Sequence, residues 1–253
     1  MNNREAIEYF HLSFSNRLAS KVSRDFFCLK GGCNLRFYFQ SIRYSEDIDF
    51  DVHTTSLQTL KKNVEKIISD DTFRSILKHQ NIEIVEWSAP KQTPTTQRWK
   101  LALKLDNQSL TLHTKIEFSR RIKAFSDSEV QFVTPSIISR YKLQPVLLQH
   151  YRLNSAIEQK IKALIDRTET QVRDVVDLKT LKDQLSGSGT FAISKEHKAK
   201  ALETLMSISF SDFKSQVWPY LMSDYQAHYE NKKAWEQLQV EVLAFIEKQT
   251  VLR

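Results

Sequence analysis

Apolar residues recur at intervals of three or four near the start of the chain, which is the pattern of one helix face. Ile7, Phe10, Phe14 and Leu18 form this stripe within residues 4–22. Further along, short segments are apolar throughout or alternate apolar and polar residues, as strands do. The pattern predicts strands at residues 26–30, 47–52, 82–87, 99–105, 110–118 and 130–133, helices at 34–40, 57–67 and 71–79, and an exposed loop at 88–97.

The pattern changes after Pro135, where helical periodicity replaces alternation. The predicted helices cover residues 136–151, 155–167, 173–185, 195–209, 211–222 and 224–248, with a break at Ser186–Gly189. The expected organisation is therefore an α+β domain at residues 1–135, built on a mixed sheet with helices, followed by a helical bundle at residues 136–253.

Composition narrows the class of protein. The 253 residues include 37 Lys and Arg against 30 Asp and Glu, so the net charge is +7, which permits a polyanionic partner. Cys28 and Cys33 form no zinc pattern and are expected to be free thiols of a reducing compartment. We find no signal peptide and no run of 18 apolar residues, so the sequence predicts a cytoplasmic protein without a membrane span.

The residues that carry chemistry begin with Lys30-Gly31-Gly32, between a predicted strand and a predicted helix. Two adjacent glycines allow a tight turn and a close backbone approach, and amides at a helix start bind anions such as a triphosphate. Downstream, Asp47 and Asp49 lie two positions apart on a strand, so both carboxylates project from one face. A solvated acidic edge strand gives the same pattern, but paired hard oxygen ligands also suit Mg²⁺.

A two-metal phosphoryl-transfer site usually has a third carboxylate. Glu117 is the candidate, because Ile116 and Phe118 occupy the apolar face of its strand. Asp51 competes, since it shares a strand face with Asp47 and Asp49. We favour Glu117 as the third metal ligand, because a ligand from a neighbouring strand closes a site better than a residue further along the same strand.

These motifs resemble the AbiEii/AbiGii nucleotidyltransferase toxin family, a branch of the DNA polymerase β-like nucleotidyltransferases. The stretches that carry the resemblance are Lys30-Gly31-Gly32 and Arg43-Tyr44-Ser45-Glu46-Asp47-Ile48-Asp49-Phe50. The family pattern continues in the helical half with a Lys, an Arg and an Arg-Asp-x-x-Asp-Leu, which are here Lys160, Arg167 and residues 173–178. Cys33 stands where relatives often have Thr or Ser, a departure that removes a hydroxyl from this position.

The resemblance implies a polymerase β-like fold whose helical domain closes the active-site cleft. It also implies Mg²⁺-dependent transfer of a nucleotide from an NTP to an acceptor. Some relatives are toxins that modify the 3′ end of tRNA, so the expected acceptor is RNA, and tRNA in particular. A toxin–antitoxin or phage-defence role follows from the same resemblance, with a cognate antitoxin as the expected partner.

Carried over residue by residue, the resemblance assigns triphosphate binding to Lys30, Gly31 and Gly32 and metal binding to Asp47, Asp49 and Glu117. Arg43 and Ser45 are further candidates for phosphate contacts. A salt bridge within the loop and a turn hydroxyl are the alternatives for these two residues.

The helical half contributes Lys160 and Arg167, which lie seven positions apart and hence on one helix face. Facing a cleft, they would neutralise triphosphate charge during transfer, whereas a solvated basic face is the alternative. Asp177 is interpreted as a carboxylate that orients Lys160 or Arg173 rather than as a base. A plain Arg173–Asp177 bridge within the helix competes with that interpretation, and Asp174 is expected simply to occupy a first helical turn.

Three functions are open at this point. The first is an enzyme that transfers nucleotides to RNA, which the intact carboxylate set favours. The second is a module that binds NTP or RNA without turnover, and the third is nucleotidylation of a small molecule. The net charge favours RNA over a small molecule.

Overall fold

The computed structural model describes residues 1–106, 108–167, 171–185 and 192–251. The chain divides into two units. The first, called here the sheet unit, comprises Met1–Tyr38 and Tyr44–Arg152. The second, called the helical unit, comprises Phe39–Arg43 and Leu153–Arg253. The helical unit therefore includes a five-residue segment whose sequence neighbours on both sides belong to the sheet unit.

The sheet unit contains six helical elements and seven strands in its described residues. In chain order these are α1 (Asn3–Lys21), a 3₁₀ turn (Arg24–Phe26), β1 (Phe27–Lys30), α2 (Gly31–Tyr38), β2 (Ile48–Val52), α3 (Leu57–Ile68), α4 (Asp71–Lys78), β3 (Ile82–Gln92), β4 (Thr96–Leu105), β5 (Thr111–Ser119), β6 (Ser128–Phe132), α5 (Pro135–Arg140) and β7 (Leu147–Tyr151).

One mixed sheet joins all seven strands in the order β3-β4-β5-β2-β1-β7-β6. β2 runs parallel to β5, and β1 runs parallel to β7, whereas the other neighbours are antiparallel. Alternation along β2 turns Ile48 and Phe50 into the hydrophobic core and leaves Asp49 and Asp51 on the opposite face. The same alternation in β5 buries Ile116 and Phe118.

The first helix is more deeply enclosed than its predicted apolar stripe requires. Every residue from Ala6 to Ser15 is buried, including the polar residues Glu8 and His11. Glu8 accepts hydrogen bonds from Arg36 Nε at 2.6 Å and from the Tyr141 hydroxyl at 2.7 Å. A charged partner thus compensates the burial of this carboxylate.

Residues 88–97 do not form the expected loop. β3 continues to Gln92 and includes Pro90, and β4 begins at Thr96. β3 is an edge strand, where a residue without an N–H is tolerated. The pairing with β4 also shifts register between Ser88 and Lys91, around this proline.

The boundary between the units lies after Arg152 rather than at residue 135. The predicted helix at 136–151 is wrong in its second part, because residues Leu147–Tyr151 form β7. β7 pairs with both β1 and β6 and therefore belongs to the sheet. The Leu-Gln-Pro sequence at 143–145 marks the break between α5 and β7.

In its described residues, the helical unit consists of helices and one small parallel strand pair. Its elements are α6 (Leu153–Asp166), α7 (Arg173–Asp183), β8 (Ala192–Ile193), α8 (Lys195–Ser207), α9 (Phe210–Gln216), a 3₁₀ turn (Trp218–Tyr220), α10 (Ser223–His228), α11 (Lys232–Glu247) and β9 (Thr250–Val251). The segment 39–43 is attached by a β-bridge between Arg43 and Leu221 and by a hydrogen bond from the Met222 N–H to the Ile42 carbonyl.

The single helix expected at 224–248 is two helices, α10 and α11. Asn231 caps the second, since its side chain accepts a hydrogen bond from the Lys233 N–H. The helix expected at 211–222 ends at Gln216 and continues only as a 3₁₀ turn that contains Pro219. The predicted break at Ser186–Gly189 lies outside the described residues.

Where the structure describes the chain, it contains no helix with the length and hydropathy of a bilayer-spanning segment.

Candidate active site

Gly31 connects β1 to α2 in a conformation that favours glycine. Its φ is +67°, in the left-handed region, and a Cβ placed on it would lie 2.9 Å from Oδ2 of Asp49. Another residue would therefore combine backbone strain with a collision. Because α2 begins directly at Gly31, the first turn of the helix, including Gly32, directs backbone N–H groups away from the helix at this point. The backbone at Gly31 thus lies close to the Asp49 carboxylate, and triphosphate binding at this turn stays a prediction.

Strand register aligns charged residues across the sheet on the face opposite the core. Lys30 on β1 pairs with Asp49 on β2, and Asp49 pairs with Glu117 on β5. Glu117 in turn pairs with Arg98 on β4. Residues directly opposite one another on neighbouring strands point to the same face. The structure therefore brings Glu117 directly beside Asp49, on the side away from Gly31.

Asp47 lies one residue before β2 and reaches the same face of the sheet. Its Oδ2 lies 2.7 Å from Nζ of Lys115, which is two residues before Glu117 on β5. Oε2 of Glu117 lies 2.6 Å from the Arg98 guanidinium. Both carboxylates retain partial exposure, with 21% of the Asp47 side chain and 25% of the Glu117 side chain accessible. Each is thus held by a basic partner and remains reachable.

Asp51, the alternative third carboxylate, is engaged elsewhere. Its Oδ1 lies 2.5 Å from Nζ of Lys30, and its Oδ2 accepts a hydrogen bond of 2.8 Å from the Tyr151 hydroxyl. Only 5% of Asp51 is exposed. The carboxylate therefore ties β2 to β1 and β7, and Lys30 contacts Asp51 in this arrangement.

A buried polar network supports the backbone just before β2. The Thr114 hydroxyl donates to the Glu46 carbonyl at 2.8 Å, and Nε2 of His11 lies 2.8 Å from the same hydroxyl oxygen. Since the hydroxyl proton goes to Glu46, His11 must donate from Nε2. Burial lowers the pKa of His11 to about 3, so the ring is neutral. The network spans α1, β5 and the segment that carries Asp47.

The Asp47 carbonyl is fixed by two further side chains. The Ser45 hydroxyl donates to it at 2.8 Å, and the Cys33 thiol lies 3.3 Å from it. Cys33 also lies 3.5 Å from Nδ1 of His11, and burial raises the pKa of its thiol. Ser45 and Cys33 thus contact the backbone of Asp47 in this structure, and the phosphate contact expected of Ser45 stays a prediction.

The predicted residues of the helical half meet around two carboxylates on α7. Asp174 and Asp177 are fully buried, and Lys160 Nζ lies 3.1 Å from the first and 2.6 Å from the second. The Arg167 guanidinium also contacts Asp174. Lys160 is itself 8% exposed. α6 ends at Asp166, so Arg167 follows the helix instead of sharing a helix face with Lys160. Both side chains contact carboxylates, and their phosphate role stays a prediction.

Arg43 is the partner that the sequence did not indicate. Its Nε and Nη2 donate to the two carboxylate oxygens of Asp177 at 2.8 and 2.7 Å. Burial alone would raise the pKa of Asp177, but Arg43 and Lys160 more than offset that effect and hold the pKa well below its usual range. Asp177 thus contacts both Lys160 and Arg43, and its role in orienting Lys160 stays a prediction.

Several of these residues had no local signal in the sequence. Asp174 lies in the first turn of α7, as expected, but its buried contacts with Lys160 and Arg167 were not indicated. His11 and Thr114 lie within apolar patterns that predict core positions. The Arg43–Asp177 contact joins residues 134 positions apart. A buried His or Asp within an otherwise apolar face was the available hint, since such a group needs a partner.

Carboxylate oxygens are the donors that Mg²⁺ prefers, so the residue types at Asp47, Asp49 and Glu117 fit a divalent cation. Within the described residues, however, no three His, Cys, Asp or Glu side chains lie close enough to hold a metal together. Asp47 contacts Lys115 and Glu117 contacts Arg98 in this arrangement. The donor set is suitable, and two of its members bind side-chain cations.

Known structures share this fold. JHP933 from Helicobacter pylori matches with a TM-score of 0.61 at 18% identity, over 98% of this chain and 95% of that chain. MenT4, a nucleotidyltransferase toxin from Mycobacterium tuberculosis, matches with a TM-score of 0.62 at 15% identity, over 96% of this chain and 84% of that chain. No curated protein matches the sequence.

The sequence itself matches a family over most of its length. The model of the family described as nucleotidyl transferase AbiEii toxin, type IV toxin–antitoxin system, covers residues 16–217. That range includes Gly31, Asp47, Asp49 and Glu117 in the sheet unit and the carboxylates of α7 in the helical unit. The expected fold and family are both confirmed, and the protein belongs to the AbiEii nucleotidyltransferase toxin family.

Proposed function

We propose that this nucleotidyltransferase is Mg²⁺-dependent and transfers a nucleotide from an NTP to the 3′ end of tRNA. The observation that carries the proposal is the aligned row of Lys30, Asp49, Glu117 and Arg98 beside Gly31. The two carboxylates lie on adjacent strands, next to a helix that begins at a residue without a side chain. This arrangement suits a substrate that brings both phosphate and a cation.

Asp47, Asp49 and Glu117 are the residues that would hold the metal. Mg²⁺, when bound, offsets the charge of the phosphate oxygens and of the carboxylates. For Asp47 and Glu117 to bind it, Lys115 and Arg98 must move from their present contacts. The Lys115 side chain is 42% exposed and the Arg98 side chain is 34% exposed. Because neither is buried, this exchange needs no unpacking of the core.

The chain's own groups have defined tasks in the transfer. The first-turn amides of α2 and Lys30 bind the triphosphate. The acceptor hydroxyl oxygen forms a bond to the α-phosphorus, the bond from that phosphorus to the bridging oxygen breaks, and pyrophosphate leaves with that electron pair. The hydroxyl proton passes to water or to a nearby carboxylate. Positioning and charge neutralisation are the main contributions of the protein to such a reaction.

For the helical unit we propose that Lys160 and Arg167 supply positive charge for the substrate while Asp174 and Asp177 position them. Arg43 is held by the same carboxylate and immediately precedes the segment that leads to Asp47. The phosphate role proposed for Lys160 requires a change of partner, because its ammonium group now contacts two carboxylates.

RNA is favoured as the acceptor by charge. The net charge of +7 attracts polyanions. The family implies an NTP substrate and an antitoxin partner. We place the protein in the cytoplasm, where NTP and tRNA are both present, in keeping with two buried free cysteines.

The test is to incubate the purified protein with total RNA, Mg²⁺ and each labelled NTP in turn. We expect label from one or more NTPs to enter the tRNA size class, to be lost with EDTA, and to be absent with Asp49→Asn. Label in a small molecule instead of RNA would contradict the acceptor, and transfer that persists in EDTA would contradict the metal requirement.

A further inference from the structure

Two rungs of the sheet bring positive charges directly opposite one another. Lys91 on β3 pairs with Arg98 on β4, and Lys100 on β4 pairs with Lys115 on β5. Like charges in such positions destabilise a sheet, so an anion that binds there relieves the repulsion. We refer to Lys91, Arg98, Lys100 and Lys115 as the basic rungs.

The basic rungs lie on the same face as the proposed catalytic carboxylates. Arg98 and Glu117 form one rung, and Glu117 and Asp49 form its continuation. Lys100 is two strands and two residues away from Asp49, or about 10 Å across the sheet and about 7 Å along it. A single extended substrate can therefore contact Lys100 while one of its ends reaches the carboxylates.

Glu117 and Asp47 satisfy only part of this positive charge. They contact Arg98 and Lys115, whereas no described residue forms an ion pair with Lys91 or Lys100. Lys100 is exposed. Lys91 and Lys100 are thus available to an external anion.

Strand order shows which substrate the basic rungs face. Gly31 and the start of α2 follow β1, on one side of β2, whereas β5 and β4 lie on the other side. If the triphosphate binds at Gly31, the basic rungs lie across the carboxylates from it. We propose that the basic rungs bind the phosphate backbone of the acceptor RNA next to its reacting end. This inference rests on the proposed function and adds the surface that holds the acceptor.

The same strand supplies a matched control. Lys104 is on β4, on the same face as Lys100, and is also exposed. It pairs with Glu83 on β3 rather than with another lysine, and Glu86 lies opposite Ala102 between them. The positive field therefore ends before Lys104, and a Lys104→Gln variant changes the net charge by the same amount without touching the basic rungs.

The experiment compares Lys100→Gln with Lys104→Gln in the full chain. Binding of fluorescent unfractionated tRNA is measured in EDTA, without NTP, over a range of salt concentrations, and KM for the NTP is measured separately. For Lys100→Gln we expect tRNA affinity to fall about fivefold and the slope of log affinity against log salt to decrease by about 0.7 to 1. Adding Lys91→Gln should lower the affinity about another fivefold and reduce the salt slope by about the same amount again. Lys104→Gln should match the wild type in both measurements.

The outcomes separate this inference from the proposed function. Equal effects of Lys100→Gln and Lys104→Gln on tRNA binding would overturn the inference while transfer to tRNA still supported the function. A higher KM for the NTP with unchanged tRNA affinity would also overturn it, by assigning the basic rungs to the donor triphosphate. Failure of the wild type both to bind tRNA and to label it would refute the proposed function together with the inference.

Discussion

The two units use carboxylates in opposite ways. In the sheet unit, Asp47 and Glu117 are about one-fifth to one-quarter exposed, and each contacts one basic side chain. In the helical unit, Asp174 and Asp177 are fully buried, and each contacts two. All four carboxylates form ion pairs, so pairing alone does not distinguish them; burial and the number of partners do.

The difference indicates which carboxylates can change partners. A partly exposed ion pair on a strand contributes little to stability and is readily exchanged for another cation. When a buried carboxylate loses one of its two charged partners, part of its charge is left uncompensated, so an exchange there costs more than at an exposed pair. The first kind of pair suits a reaction site, and the second kind stabilises the helical unit in which it lies.

The largest expected effect is a loss of nucleotide transfer without a loss of stability. Asp49→Asn should lower nucleotide transfer by about 10³-fold or more, because the site loses a charge that the substrate cation requires. Its free energy of unfolding should stay close to that of the wild type. Transfer assays with labelled NTP and urea unfolding measure the two quantities. Near-normal transfer by a folded variant would contradict the assignment of Asp49.

Asp177→Asn, in contrast, should mainly lower the free energy of unfolding. Removing this charge leaves Arg43 and Lys160 buried without compensation, which costs about 3–5 kcal/mol. Asp183→Asn on the same helix is the control, since Asp183 is nearly half exposed and contacts Lys179 and Lys182 at the surface, where a pair contributes at most about 1 kcal/mol. Equal urea midpoints for the two variants would show that burial does not decide the difference.

Acid should act first on the sheet unit. Burial lowers the pKa of His11 to about 3 and that of His150 to about 4. Between pH 6.5 and these values the unfolded chain binds protons that the folded chain does not, so the free energy of unfolding falls as the pH falls. At pH 5 the loss is about 2 kcal/mol for each histidine. The depressed pKa of Asp177 acts in another window: its stabilisation is complete above the ordinary aspartate pKa and is lost only below it.

Urea unfolding at pH 7 and pH 5 measures this dependence. His11→Gln and His150→Gln should each reduce the difference between the two pH values, whatever their effect at pH 7. A wild type that is equally stable at both pH values would contradict the neutral, buried state of these rings.

The smallest expected effect concerns the support of Asp47. Thr114→Val keeps the shape of the side chain but removes the hydroxyl that joins His11 to the Glu46 carbonyl. We expect about a tenfold loss of transfer, expressed as a higher Mg²⁺ requirement, and recovery with Thr114→Ser. Thr180→Val removes a similarly buried hydroxyl that bonds to Val176 within α7. If it raises the Mg²⁺ requirement equally, the network has no specific role.

The alternation of apolar and polar residues along a strand was sufficient to predict which sheet face Asp49 and Glu117 occupy. Asp49 and Glu117 each lie between apolar neighbours on a strand, so their common face followed from the period of two. Their direct adjacency required a register, and the register comes from parallel pairing of β2 with β5, which leaves no local mark in the sequence. The family resemblance supplied the order of the motifs.

Long-range partners account for most of what the sequence could not show. Arg43 was interpreted as a phosphate contact because it precedes the Asp pair, but its bidentate partner lies on α7. Helical periodicity after Pro135 predicts helix at residues 147–151, but this short segment fits a strand as well, and only its pairing with β1 and β6 decides between them. Short apolar segments are ambiguous for this reason.

The path of the chain also has a consequence for synthesis on the ribosome. β1 pairs with β7 through Leu29 and His150, so the sheet cannot be completed until residue 151 has left the exit tunnel. Arg43 must then wait for Asp177, which is made 134 residues later. Early segments therefore remain without their final neighbours through more than half of translation. A truncated product that ends before α7 contains Gly31, Asp49 and Glu117 but lacks Asp177, the carboxylate that holds Arg43.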